Sequence, residues 1–401
     1  MTNAGGPLTG VRVLDLTIWV QGPMAATLLA DLGADVIKIE RMGDGDFSRG
    51  LASLHGVNLR REDAPNLLWA ICNRNKRAIT LDLRRPQAAP VFARLLRTAD
   101  VLLTNLHPEA LTALGADESS VRAANPTIVY ARGTGLGDAG PRALDPCQDT
   151  VGMAYAGFML TTANSPDEPN YPPGALSDVL AGTMLAFGVL AAMRERERTG
   201  EGQTVSSSQL QSLIWLQSLN IAVAANLGEA FAPFDRANPT SPYMNTYRCA
   251  DRRWIALGLV RVDQWAALLR AIGLESYGSD ERFTTPRGVR KHSPQLIELL
   301  DRQFVTADAE HWLARIRAAD LWVSPVNRVA DLPENEQVRA NGYVARLDDG
   351  WRAAAMPFSL QGYAPPTRPA PDYSAHTMQV LEDIGYTQEE ILELKSAGAA
   401  W

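Results

Sequence analysis

The chain has 401 residues, of which 46% are hydrophobic and 21% charged, so it can bury a sizeable core in two or three domains. A net charge of −7 argues against a nucleic-acid or anionic-membrane partner. Cys72, Cys147 and Cys249 form neither a disulfide framework nor a zinc spacing, and no signal sequence opens the chain, so it is expected to be cytoplasmic.

In chain order, residues 11–17 alternate as a strand does, and Pro23 opens a helix that ends at Gly33, a favoured C-cap residue. Residues 35–40, 78–82, 101–104 and 127–131 read as further strands, with helices between them, notably over 87–98. That alternation predicts an α/β fold with a parallel sheet covered on both faces. Two long helices follow, over about 177–198 and 203–227. The apolar run 179–193 is shorter than the roughly 20 residues a bilayer span needs, and it reads as a buried helix. Residues 236–330 read as a smaller α+β domain. The expected organisation is therefore 1–200 as the first part of a large domain, 201–235 as a helical linker, 236–330 as the small domain, and 331–401 as a linker returning to the large one. A proline-rich crossing at 364–371 leads into a final helix over about 377–397.

The chemistry concentrates around Asp149. A glycine-rich stretch, Gly133-Thr134-Gly135-Leu136-Gly137, follows the strand at 127–131 and leads into Pro146-Cys147-Gln148-Asp149-Thr150. Glycines there let a ligand approach the backbone. A carboxylate in that place is a candidate nucleophile toward an activated acyl group. The competing reading is that Asp149 caps a helix beginning near Thr150. Cys147, two residues away, is a rival nucleophile, but no His or Asp pattern supports it and it reads as a small packing residue. Glu40, at the end of the second strand, sits where a dinucleotide-binding fold places an acidic ribose ligand, yet the turn Trp19-Val20-Gln21-Gly22-Pro23 lacks the glycines that admit a pyrophosphate. The five histidines have no metal-ligand spacing, and neither a Walker loop nor a G-x-S-x-G elbow is present.

Motifs along the whole chain resemble those of the class III CoA-transferases, the group that contains formyl-CoA transferase and carnitine CoA-transferase. They include Val13-Leu14-Asp15-Leu16-Thr17, the run from Leu29 through Asp35-Val36-Ile37-Lys38-Ile39-Glu40-Arg41, and Asn75-Lys76-Arg77. Asp178 with Gly182 and Thr199-Gly200-Glu201-Gly202-Gln203 continue the series. The resemblance implies an open Rossmann-like large domain built from both chain ends, a smaller domain, and an interlocked homodimer. It implies coenzyme A or acyl-CoA as substrate with no prosthetic group and no metal, and an acyl-CoA donor and a carboxylic-acid acceptor as partners. Asp149 corresponds to the family's catalytic carboxylate, which passes through a mixed anhydride and an aspartyl-CoA thioester. Val20, Gln21, Arg41, Leu81, Leu83 and Asn105 correspond to CoA contacts, with Arg41 the best phosphate partner because its planar fork suits phosphate oxygens. A surface ion pair with Glu40 or Asp44 is the other reading of Arg41.

The sequence also departs from the pattern. Gln148 replaces an aromatic residue found in many members, and Ala113 and Thr134 stand where formyl-CoA transferase has basic CoA contacts. No glycine-rich loop lies between Asn238 and Trp254. These differences argue against a formyl/oxalyl substrate pair. An α-methylacyl-CoA racemase of the same fold is the alternative enzyme, but Gln148 replaces its His, and glutamine does not shuttle protons near neutral pH. A CoA-ester-binding protein without turnover is the alternative if Asp149 only caps a helix.

Overall fold

A computed structural model describes residues 5–62, 65–165 and 167–401. The chain forms two compact units: Met1–Met159, Tyr171–Phe231 and Asn341–Trp401 make one, and Leu160–Asn170 with Ala232–Ala340 make the other.

The first unit is built on a six-stranded sheet whose neighbours all pair in parallel. Its strands are β1 (Arg12–Leu16), β2 (Asp35–Glu40), β3 (Arg77–Thr80), β4 (Val101–Thr104), β5 (Val129–Thr134) and β6 (Thr204–Ser208). The spatial order is β3-β2-β1-β4-β5-β6. The side-chain period of two sends alternate residues to opposite faces. Leu14, Ile37, Leu102 and Tyr130 pack on one face. Val13, Val36, Val101 and Val129 pack on the other. Both faces are covered, as a parallel sheet requires. On the first face lie α3 (Ala88–Arg97) and the C-terminal helices Thr377–Asp383 and Gln388–Ser396, through Val91, Leu95, Val380 and Ile391. On the second lie α1 (Gln21–Asp31) and a 24-residue helix, α7 (Leu176–Thr199), through Leu29, Leu185 and Val189. By length and composition α7 is the one helix, among the described residues, that could cross a membrane. In this fold its apolar face closes the core.

Two helical expectations are corrected. The helix expected from residue 203 begins later, because Thr204–Ser208 is the edge strand β6, paired with β5. Its sequence, Thr-Val-Ser-Ser-Ser, is β-branched and hydroxyl-rich, which disfavours helix and suits an edge strand. The helical part is α8 (Gln209–Leu216) followed by α9 (Ser218–Leu227). The single final helix is two, interrupted where Gly385 takes φ = +86°.

Below the β1 loop lies a layer of buried charge. Asp15, Lys38 and Lys76 have side chains 0% exposed. Lys76 Nζ donates to Asp15 Oδ2 at 2.8 Å and to the carbonyls of Pro23 and Cys72 at 2.9 and 2.8 Å. Lys38 Nζ lies 3.5 Å from Asp15 and 3.1 Å from Asp46. Burial opposes the charge on Lys38, yet Asp15 and Asp46 outweigh it and raise its pKa. For Lys76 burial wins, bringing the ammonium down to about 8. The layer ties the end of β1 to β2 and to the start of β3.

The second unit carries a three-stranded antiparallel sheet with Trp254–Leu257 at its centre, between Thr246–Arg248 and Val323–Pro325. Helices Val262–Ala271, Ser293–Phe304 and Ala309–Ala318 bury Leu268, Leu300 and Trp312 against Tyr243 and Tyr247.

Candidate active site

The strand order of the large unit reverses direction between β1 and β4. In doubly wound sheets, ligands bind beyond the carboxyl ends of the strands flanking such a point. The side chain of Asn105 closes that junction: its Oδ1 accepts from Ile18 N at 2.8 Å and its Nδ2 donates to Ile18 O at 2.9 Å. Gln21, at the start of α1, is buried and donates to Thr134 O at the end of β5 at 3.0 Å. A cavity of about 760 Å³ opens over these ends. Val20, Gln21, Asn105 and Asp149 line it, as do Gly133 and Gly135. A smaller cavity of about 280 Å³ is lined by Arg41, Leu81 and Leu83, and Ile18 and Leu106 line both. The residues matched to CoA contacts thus divide between two cavities that share a wall.

Arg41 is half-exposed. Its Nη2 pairs with Asp44 at 3.2 Å, its Nε donates to Gly45 O at 3.1 Å, and its guanidinium lies 4.2 Å from the centre of the Phe47 ring. Glu40 is not its partner, because Arg49 holds that carboxylate with bonds of 2.8 and 2.7 Å. Arg84, which the sequence reading missed, also lines the smaller cavity, paired with Asp82.

Asp149 is the first residue of α6 (Asp149–Tyr155) and only 5% exposed. It does not cap its own helix. Gln148 does so, from an extended conformation, with Oε1 accepting from Thr150 N at 3.1 Å. The Asp149 carboxylate turns instead to the start of α7. Its Oδ1 accepts from Ser177 N at 2.8 Å, from Ser177 Oγ at 2.8 Å and from Asp178 N at 3.3 Å, and its Oδ2 accepts from Tyr171 OH at 3.1 Å. The residue before α7, Ala175, is left-handed (φ = +55°) and has no side chain able to cap. Asp149 therefore supplies an anion to that helix's bare N–H groups and positive end. The capping reading holds in kind, but for a helix that starts 27 residues further on.

A second carboxylate stands beside it. Asp178 lines the same cavity, and Gln209 Nε2 donates to its Oδ1 at 2.5 Å. Burial, then the charge of Asp149, push the Asp178 carboxyl up to about 7, against the pull of the Gln209 hydrogen bond. The Cys147 thiol donates to Gln209 Oε1 at 3.2 Å. Burial, then Asp178 and Asp149, push this thiol up to about 11, so it is not a thiolate near neutral pH. Two glycines make the arrangement possible by close approach. A Cβ on Gly135 would lie 2.1 Å from Cys147 Cβ, and one on Gly152 would lie 2.5 Å from Gln209 Oε1. Tyr171, Ser177 and Gln209 carried no signal in the sequence, since their roles arise from contacts across 22 to 62 residues.

The model of the family described as CoA-transferase family III matches residues 8–377. The (R)-2-hydroxy-4-methylpentanoate CoA-transferase of Clostridioides difficile is 29% identical, over 97% of this chain and 98% of its own. The cinnamoyl-CoA:phenyllactate CoA-transferase of Clostridium sporogenes is also 29% identical, over 98% and 97%. The crystal structure of a CaiB/BaiF family protein from Brucella suis superposes with a TM-score of 0.83 at 25% identity, covering 95% of this chain and 100% of that one.

Proposed function

The chain belongs to CoA-transferase family III and is a CoA-transferase; we propose that it moves CoA from an acyl-CoA to a carboxylic acid through covalent intermediates on Asp149. One observation carries this reading. Asp149 opens onto a cavity of about 760 Å³ and, among the described residues, is held only by neutral donors. A carboxylate positioned and largely stripped of water, with no cation bound to it, is the form that reacts with a thioester.

An oxygen of Asp149 attacks the thioester carbonyl, and the C–S bond breaks to give a mixed anhydride and CoA. The sulfur returns to the Asp149 carbonyl carbon, releasing the donor acid and leaving an aspartyl-CoA thioester. The acceptor carboxylate attacks that thioester, and the sequence runs in reverse to form the new acyl-CoA. Gln148, standing where the racemases carry a histidine, caps α6 and has no titratable proton to shuttle, which weighs against the racemase reading.

CoA lies across the two cavities in this reading. Val20, Gln21 and Asn105 border its reactive arm, and Leu81 and Leu83 border its nucleotide end. Arg41 and Arg84 face the smaller cavity, and two guanidinium groups suit phosphate. The unit pairs with a second copy, for which the apolar surface of α8 and α9 argues. No residue of α9 is buried, and Trp215, Leu216, Leu219 and Leu227 are exposed. A cytoplasmic setting fits the free thiols Cys72 and Cys249, both buried.

The test is a panel of acyl-CoA donors against carboxylic acids, read by mass spectrometry for new CoA esters. With donor and no acceptor, hydroxylamine should convert the adduct on the Asp149 peptide to a hydroxamate. An adduct that maps to Cys147, or no CoA exchange with any pair, refutes the reading.

A further inference from the structure

We propose that the part of the larger cavity walled by Val20, Leu51, Leu54 and Leu68 takes an uncharged, bulky apolar acyl group, branched or aromatic, and rejects acyl groups that carry a second carboxylate. The proposal rests on CoA transfer taking place in this cavity and not on which atom is acylated.

Local sequence assembles that wall. Asn66 caps the helix Leu67–Asn73, its Oδ1 accepting from Leu68 N at 2.8 Å, and its Nδ2 donates to Leu51 O. One polar side chain thus ties the backbone at Leu51 to the turn that carries Leu68. Leu68 packs with Val20 in a small apolar cluster, against which Leu51 and Ala175 rest. Ala175 is the residue before α7, so the apolar wall runs up to the turn that holds Asp149. A hairpin that pairs Ser53–Leu54 with Val57–Asn58 supplies Leu54. Its two-residue turn puts His55 (φ = +48°) and Gly56 (φ = +78°) in the left-handed region, which tight hairpin turns favour. The His55 ring lies 5.5 Å from the ring of Tyr171, whose hydroxyl donates to Asp149. Leu54 and Trp19 line the cavity and yet are exposed, as apolar side chains are where a ligand covers them.

Charge decides what the wall rejects. Asp145, Asp149 and Asp178 line the cavity. Arg132 is the one guanidinium among its described lining residues, no lysine lines it, and Arg132 is paired with Asp138 at 3.0 Å. A terminal carboxylate on the acyl chain would leave water to lie against leucine, with no free cation to meet it and with Asp149 and Asp178 in the same cavity. A methyl branch or a phenyl ring meets the opposite reception. It covers apolar surface that is otherwise wet, and an aromatic ring finds the rings of His55 and Tyr171. A formyl group is too small to cover the wall and gains nothing from it.

The test follows exchange of an isotopically labelled acid into its own CoA ester, so that one acyl group serves as both donor and acceptor. Isovalerate and phenylacetate should exchange with kcat/KM on the order of 10²-fold above succinate and glutarate. Leu54→Arg puts a cation on the exposed hairpin and should shrink that preference to about 10-fold or less. Leu68→Ala removes apolar wall and should lower isovalerate exchange about 10-fold while the affinity for free CoA stays unchanged. Circular dichroism controls for folding, and Leu54→Arg, at an exposed position, carries the test if Leu68→Ala does not fold. Succinate or glutarate exchanging as fast as isovalerate overturns the proposal, as does a preference that neither folded variant moves. If Asp149→Asn keeps exchange with the preference intact, the covalent assignment has failed and the acyl pocket stands. If no acid exchanges into its CoA ester, CoA transfer in this cavity is what has failed.

Discussion

Two regions of the large unit bury carboxylates and treat them in opposite ways. Beneath the β1 loop, Asp15 meets the ammonium groups of Lys38 and Lys76, and Asp46 meets Lys38. Burial works against the charge on Asp15, but the two lysines prevail and hold its carboxyl below the usual range. At the mouth of α7, Asp149 and Asp178 meet, among the described residues, only backbone N–H groups, a hydroxyl, a phenol and an amide. Matched charges fix a backbone because neither partner gains by moving. Unmatched ones leave one carboxylate, the proposed nucleophile, without a cation, and a neighbour whose carboxyl is pushed up to about 7. The contrast separates scaffold from the proposed chemistry within one fold.

The largest effect should come from the reactive corner. Asp149→Asn is expected to lower CoA transfer by about 10³-fold or more, roughly 4 kcal/mol of transition-state stabilisation, in a folded protein whose amide oxygen still accepts from Ser177. Steady-state transfer alongside circular dichroism measures both halves, and substantial residual turnover breaks the contrast at once. In the scaffold the loss should appear as stability. Lys38→Met leaves Asp15 and Asp46 short of a partner and is expected to cost about 3–5 kcal/mol in urea unfolding. A loss under about 1 kcal/mol would mean that the layer is ornamental.

Arg41→Glu sharpens the contrast at an exposed ion pair. Acyl-CoA binding should weaken by about 1–2 kcal/mol, discounted for solvent screening, with kcat moving less. An unchanged affinity in calorimetry places the phosphate elsewhere. The smallest effect belongs to Cys147→Ala, which removes one weak donor to Gln209. Turnover should stay within several-fold of wild type, and the covalent adduct should remain on the Asp149 peptide by mass mapping.

Local pattern gave good access to the sheet. The strands at 35–40 and 101–104 stand where alternation and apolar runs put them. It failed at residues 204–208, where a polar pentad owes its extended state to pairing with β5 rather than to any apolar period. The Asp15, Lys38 and Asn75-Lys76 motifs were visible as motifs, but their purpose was not, since their ion pairs link three strand ends. Asp149 could be placed ahead of a helix. That its anchors are residues 177 and 178 could not, because those contacts exist only once α7 has packed beside α6. Asp178 shows the same limit: nothing adjacent in sequence announces a carboxyl that keeps its proton near neutrality.

The missing cap at Ala175 has a consequence of its own. A 24-residue helix has borrowed its terminal anion from the group proposed to turn over. In the proposed cycle, each conversion of Asp149 to an anhydride or a thioester takes a full negative charge from the opening turn of α7 and leaves at most a carbonyl oxygen. Interactions of that kind are worth about 0.5–2 kcal/mol. In that proposed cycle the covalent state is read out in the fraying of one helix end. Amide protons at Ser177 and Asp178 should exchange faster in the trapped intermediate than in the resting protein, while those deeper in α7, packed on the sheet, should not respond.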